Sequence, residues 1–175
     1  MASSLRFWGR AGFYVVLFIY GLKIIFMDFE SNEIGGTFIH AINTGFHEAG
    51  HVAFRPLGRF MSVLGGTLAQ LLMPFSLVLL FAYKNRDYLG ASLALWWLGQ
   101  SFMDCAPYIN DALALRLPLV FGDVHDWNFL LNHMGIIRYY HGIATSFDWL
   151  GMIIMIAALV WGGFLLVIQS REIFH

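Results

Sequence analysis

Apolar residues gather along this chain into runs too long for the interior of an ordinary soluble domain. Residues 11–27, 61–83, 88–106 and 147–168 each approach the roughly 20 apolar residues that carry a helix across a bilayer. A further stretch, Phe38–Phe54, has the length but not the character. It holds His40, Asn43, Thr44, His47, Glu48 and His51. Backbone groups in lipid must be satisfied within the segment, which makes helix the natural form. The pattern therefore predicts an all-α, polytopic transmembrane bundle of about five spans. The polar second span is expected to be enclosed by the others or to reach only part of the way across.

Residues 107–146 break the pattern. Asn110, Asp111, Arg116, Asp123, His125, Asp126, Asn132, His133, Arg138 and His141 are interleaved there with the apolar strings LPLV and WNFLL. That mixture predicts short interfacial helices lying at the membrane surface. Neither a linker nor a repeat divides the chain, so residues 1–175 read as one membrane domain. Within it, a core of about residues 37–109 is followed by the polar segment and a last span over 147–168.

Composition sharpens the membrane reading. Hydrophobic residues make up 59% of the chain and charged residues 12%, against about 25% charged in typical soluble domains. The N-terminus has the charged-then-apolar order of a signal peptide, but its run is interrupted by Lys23 and lacks an A-x-A-like cleavage site. It reads as a retained first span. The net charge of -1, with cations thinly spread, gives no basis for nucleic-acid binding. The single cysteine, Cys105, excludes an internal disulfide and a Cys-rich metal cluster.

Five alternating spans would place Arg6, Arg10, Arg55, Arg59, Arg116 and Arg138 on one side, and Lys84, Arg86 and Arg171 on the other. The excess of basic residues then puts the N-terminus in the cytoplasm. The expected location is a cell membrane, the bacterial inner membrane, with lipid and other membrane proteins as the surroundings.

The polar span carries the chemistry. His47-Glu48-Ala49-Gly50-His51 places two histidines four residues apart, one turn apart on a single helical face. Such a pair can aim two imidazoles at one metal ion, with Glu48 beside them as a general base for an attacking water. Zn2+ is the natural ion, because it accepts imidazole and carboxylate ligands and leaves a position open. Ionisable groups are costly inside a membrane and mark function by default. Ala49 and Gly50 are small enough to let another helix approach closely.

A third ligand has several candidates. Asp104 ends an otherwise apolar run, where a lone carboxylate needs a partner. Asp111, seven residues on, shares its face if the helix continues past Pro107. His125 and Asp126, in the Gly-started stretch GDVHDW, can bind metal or orient a ligand. His40, two turns before His47, suits helix packing or support of the site better than ligation. His133 and His141 read as interfacial, and Trp96, Trp97, Trp127 and Trp149 as packing residues and membrane anchors.

HEAGH in one span, Gly65-Gly66 opening the next and an acid in the span after that resemble the three-helix core of the site-2 proteases. The resemblance covers roughly residues 37–109. It implies intramembrane zinc metalloproteolysis, with His47 and His51 as ligands, Glu48 as base and Asp104 as third ligand. The chain departs from the family's Asn/Asp-x-x-Asp-Gly motif, since Cys105 follows Asp104, and it has no room for a PDZ or CBS-like module. The strings WWLGQSFMDCAPYINDA and HDWNFLL also resemble a group of small bacterial membrane proteins classed with such peptidases. The expected function is cleavage of a membrane-protein substrate. The alternative is a non-catalytic accessory subunit of a larger membrane complex, whose histidines hold a structural metal, haem or other pigment.

Overall fold

A computed structural model describes residues 2–119 and 124–174. Regular structure among them is helical throughout: α1 (Ala2–Ile25), α2 (Phe38–Phe54), α3 (Arg59–Leu79), α4 (Tyr88–Asn110), α5 (Asp126–His133) and α6 (Tyr140–Phe174). Single 3-10 turns precede α2, α3 and α6, and a π turn, Leu80–Lys84, closes α3. Asp123 and Gly122 of the GDVHDW stretch lie outside the described residues.

Local chemistry sets the boundaries. Thr37 starts α2, its hydroxyl accepting from the backbone N–H of His40 at 3.3 Å. Gly58, at φ 95°, takes a conformation that L side chains rarely adopt and turns the chain into α3. Asp87 caps α4 by accepting from Gly90 N–H at 3.2 Å. Pro107 does not end that helix, which runs on to Asn110. The last helix begins at Tyr140, well before the apolar run at 147, so most of the expected surface segment shrinks to the single helix α5.

Three helical stretches are long and apolar enough to cross a membrane: Ser4–Ile25, Arg59–Lys84 and Ile137–Ile173. Helix α4 is the central one, with 15 of its 23 residues buried. Because its neighbours shield it, Gln100, Ser101 and Asp104 are tolerated at its middle. It meets α6 at Gly99 and Gly151, where a Cβ on Gly99 would stand 2.7 Å from the Gly151 carbonyl oxygen.

Contacts fix the directions of the helices. Arg10 pairs with Asp87 at 3.4 Å, Gly21 lies against Trp96, and Ile24 shares a core cluster with Met103. Helices α1 and α4 are therefore parallel. Helix α6 runs opposite to α4, with Gly162 beside Ser92 and Gly151 beside Met103. Helix α3 also runs opposite, since it feeds α4 through a short turn and its Gln70 reaches Asp104. Helix α1 thus ends, and α3 begins, at the same end of the bundle.

Helix α2, which joins them, cannot alternate with them as a span would. It lies across that end. His40 reaches Asp104 on α4, while His51 and Phe54 pack on Ser62 and Gly65 in the first turns of α3. Five alternating spans are thus not confirmed; three helical stretches among the described residues have the length and apolarity of a span. The polar side chains of α2 are met by Gln70 on α3, by Trp97, Gln100 and Asp104 on α4 and by Asp126 on α5. The orientation argument changes with it. Arg6, Arg10, Lys84, Arg86 and Arg171 fall at one end, and Lys23, Arg55, Arg59, Arg116 and Arg138 at the other, so the ten cations divide evenly. No excess remains to place the N-terminus.

Glycines let α2 and α3 touch backbone to backbone. A Cβ on Gly50 would overlap the Gly65 carbonyl oxygen, and one on Gly65 would stand 2.6 Å from Phe54 Cβ. Small residues at such crossings are a common device of helices packed in lipid. Here the close approach decides how near α3 can come to the histidines.

Candidate metal centre

His47 and His51 project from the same face of α2 with ring centroids 4.8 Å apart and planes at 79°. Each ring is held through Nδ1. His51 Nδ1 lies 2.9 Å from the Ser62 carbonyl oxygen, and Ser62 Oγ returns a 2.9 Å hydrogen bond to His51 O. His47 Nδ1 lies 3.2 Å from Gln70 Oε1. The Gln70 amide cannot be turned over, because its Nε2 donates to Asp104 Oδ2 at 2.9 Å. Both partners of the Nδ1 atoms are thus acceptors, so both Nδ1 atoms carry the hydrogen.

Gly66 makes room for this arrangement. A Cβ at that position would stand 2.6 Å from His47 Nε2 and 2.7 Å from His51 Cε1. The Gly-Gly pair therefore serves two purposes. Gly65 admits α2, and Gly66 leaves space for the inward nitrogens of both histidines.

Those two Nε2 atoms converge on one carboxylate oxygen. Asp126 Oδ2 lies 2.9 Å from His47 Nε2 and 3.3 Å from His51 Nε2. With Nδ1 protonated on each ring, neutral histidines would turn two lone pairs toward an anionic oxygen. That is repulsive unless a ring takes up a second proton, as the Asp126 hydrogen bond favours by pushing the His51 imidazole up to about 9, or a cation sits among the three atoms. His47, His51 and Asp126 form a group that could hold a metal ion. A tetrahedral ion with bonds of about 2.0–2.1 Å keeps neighbouring donors about 3.3 Å apart, close to the two distances from Asp126 Oδ2, and the three donor atoms all lie within 4.8 Å of one another. The Nδ1 hydrogen bonds are those that ligating histidines ordinarily make to their surroundings.

Asp126 is delivered by the start of α5. Its backbone N–H donates to Tyr108 Oη at 3.1 Å. His125 caps the helix, Nδ1 accepting from Asn128 N–H at 3.3 Å, and its ring lies against that of Tyr108 with centroids 4.2 Å apart and planes tilted by 34°. Asp111 accepts from the N–H groups of Arg116 and Leu117, both at 2.9 Å, and lies 3.4 Å from His125 Nε2. Burial pushes the His125 imidazole down, with Asp111 and Asp126 opposing only partly. Burial pushes the Asp126 carboxyl up, but the two imidazoles outweigh it and hold it below the ordinary range.

No protein family, curated protein or solved structure matches the chain. Its chemistry must be read from its own residues.

Of the candidate ligands, then, Asp126 meets the two histidines, whereas His125 and Asp111 build the loop that presents it. Asp104 is engaged elsewhere. Its Oδ1 lies 2.8 Å from His40 Nδ1, and its Oδ2 accepts from Asn43 at 3.0 Å and Gln70 at 2.9 Å. It touches neither His47 nor His51 directly, but it fixes the amide that fixes His47. Glu48, half-buried, lines the same cavity of about 230 Å³ as His47, His51, Asp126 and Tyr108. It makes no hydrogen bond among the described residues, so its carboxylate is free for the cavity.

Gln70, Ser62 and Tyr108 were not legible as parts of a site. Gln70 alone left a signal, an amide inside an otherwise apolar run. His133 stacks on Phe60 and Phe129, and His141 bonds Asn110 at an exposed position. Both stand away from the cavity. Trp96 and Trp127 are core residues, Trp97 donates to Asn43 Oδ1 at 2.8 Å, and Trp149 is exposed.

Proposed function

We propose that the chain is a membrane-embedded, zinc-dependent hydrolase of peptide bonds, with His47, His51 and Asp126 holding the metal and Glu48 as general base. The observation that supports it best is the convergence of two Nδ1-anchored imidazoles on one carboxylate, in a cavity that also receives a free Glu. When bound, zinc polarises a carbonyl and makes water a competent nucleophile near neutral pH. The chain's own residues do the rest. Glu48, on the turn that carries both histidines, takes the proton of the attacking water and returns it to the departing amine. Gln70 and Ser62 keep the two rings in the tautomer that turns Nε2 inward. Helices α3 and α4 exclude bulk water from one side of the cavity.

In this reading α1, α3, α4 and α6 cross the bilayer, and α2 with α5 closes one end of the bundle. The apolar exterior, including Phe13, Val16, Ile153 and Val160, faces lipid.

Metal analysis of the purified protein tests the proposal. Wild type is expected to carry about one zinc per chain, and both His47→Ala and Asp126→Ala to carry none. Glu48→Gln should keep the metal and lose hydrolysis of a membrane peptide. Equal and negligible zinc in wild type and variants would dispose of the metalloenzyme reading.

A further inference from the structure

The cavity has a second polar station that the hydrolytic machinery does not use. His40, Thr44, His47, Glu48 and His51 all line it from one face of α2. Seven residues separate His40 from His47, about 10 Å along a helix axis. The metal group therefore occupies the C-terminal part of this face, and His40 with Thr44 the N-terminal part.

His40 is held as firmly as the metal-group histidines. Its Nδ1 lies 2.8 Å from Asp104 Oδ1, and the His40 side chain is 37% exposed where that of Asp104 is 3%. A carboxylate only accepts, so Nδ1 is the donor, and the same Asp104 hydrogen bond raises the His40 pKa, which favours the doubly protonated ring in which Nε2 also carries a hydrogen. The other nitrogen, Nε2, has Thr44 Oγ1 at a loose 3.4 Å. Thr44 Oγ1 in turn donates to the His40 carbonyl at 2.9 Å, which leaves the hydroxyl oxygen as an acceptor. The pair thus offers the cavity one N–H donor and one oxygen acceptor, side by side and not fully spent on each other. The complementary ligand group has one acceptor beside one donor. A peptide group is of that kind.

We propose that His40 and Thr44 form a subsite for a backbone amide of the substrate, His40 Nε2–H donating to its carbonyl and Thr44 Oγ1 accepting from its N–H. An extended peptide rises about 3.3 Å per residue, so the amide held here lies about three residues from the bond at the metal group. The proposal rests on the peptidase reading above and narrows its substrate. The facing wall, with Leu117, Pro118, Leu119, Val124 and Trp127, is largely apolar. A backbone running over the polar face of α2 would direct apolar side chains toward that wall. An acyl chain would instead have to lie on histidine, threonine and glutamate, which favours an apolar peptide over a lipid tail.

The test uses the full chain in detergent micelles, with acetyl-capped leucine peptides extended one residue at a time on each side of the scissile amide. In the wild type, kcat/KM should rise by about three- to tenfold, the worth of an ordinary hydrogen bond, at the residue that first reaches His40. His40→Ala should lose that increment while cleaving the shorter peptides as before and keeping its zinc. His40→Gln, which retains an N–H donor, should recover part of it. A second measurement needs no turnover. Binding of a D-leucine-blocked, uncleavable peptide amide, followed by Trp fluorescence, should weaken by a similar factor in His40→Ala and in Thr44→Val.

An increment of the same size in wild type and His40→Ala, with cleavage intact, overturns the subsite alone. Absence of any cleavage by the zinc-loaded wild type overturns the peptidase reading, and the binding measurement then still decides whether His40 holds an amide. Tighter binding of dodecyl phosphate than of the peptide amide, lost in His40→Ala, would overturn the subsite in favour of a lipid-headgroup site.

Discussion

Gln70 Nε2 donates to Asp104 Oδ2 at 2.9 Å while the same amide's oxygen meets His47 Nδ1 at 3.2 Å. A buried acid on α4 thereby sets the orientation of a ring on α2 that it never touches. His40, on its other oxygen, depends on the same carboxylate.

The two aspartates should consequently differ in kind. Asp126→Asn is expected to abolish zinc binding, because it removes a negatively charged donor from the group itself. Asp104→Asn should bind zinc about 10- to 100-fold more weakly, the usual loss when a ligand's outer partner is disturbed. Competition with a chelator of known affinity measures both. Loss of zinc in Asp104→Asn with retention in Asp126→Asn would reverse the assignment.

Gly66→Ala separates metal binding from stability. Alanine is the better helix former by about 0.5–1 kcal/mol, yet its methyl would meet His47 Nε2 at 2.6 Å. The variant should unfold at or near the wild-type temperature in detergent and carry far less zinc. A fully loaded Gly66→Ala protein would mean that the rings have room to spare.

Gly50→Val should act differently, through the helix crossing. Its side chain would be forced into the Gly65 carbonyl, and overpacking of this sort costs about 1–3 kcal/mol. Thermal unfolding should therefore shift downward, with zinc lost only as α2 separates from α3. Unchanged unfolding would argue against backbone contact at this crossing.

The placement of α2 can be read by cysteine accessibility in a Cys105→Ala background. Cysteines at Ser31 and Gly58 flank α2 and should label from the same side of the membrane. Cysteines at Ser4 and Asn85 should both label from the other side. Opposite-side labelling of Ser31 and Gly58 would restore α2 as a full span.

The sequence carried much of this, unevenly. Hydropathy placed α2 at about Phe38–Phe54, and the structure supplies the reason for those bounds, with Thr37 capping the start and the 3-10 turn Arg55–Leu57 following the end. His47, His51 and Glu48 were legible because helical spacing is a local property. Asp126 could be included among the candidates but not chosen, since it reaches His47 across 79 residues and no local pattern encodes that contact. Asp104 was rightly seen as needing a partner. What the sequence did not disclose was that His40, Asn43 and Gln70 would meet that need. The alternation of five spans is not confirmed, for a related reason. Hydropathy sees the apolar residues of α2, but the parallel course of α1 and α4 appears only in the pairing of Arg10 with Asp87.

A helix that leaves from and returns to one end of the bundle never has to be carried through the bilayer. His40, Glu48 and the metal-group residues can fold into place after α1 and α3 are inserted, without any charged group crossing hydrocarbon. On the proposed function, zinc, water and substrate would then all be supplied from the compartment that this end faces. The chemistry of the protein would answer to the metal and proton content of that one compartment, whichever way the chain is oriented.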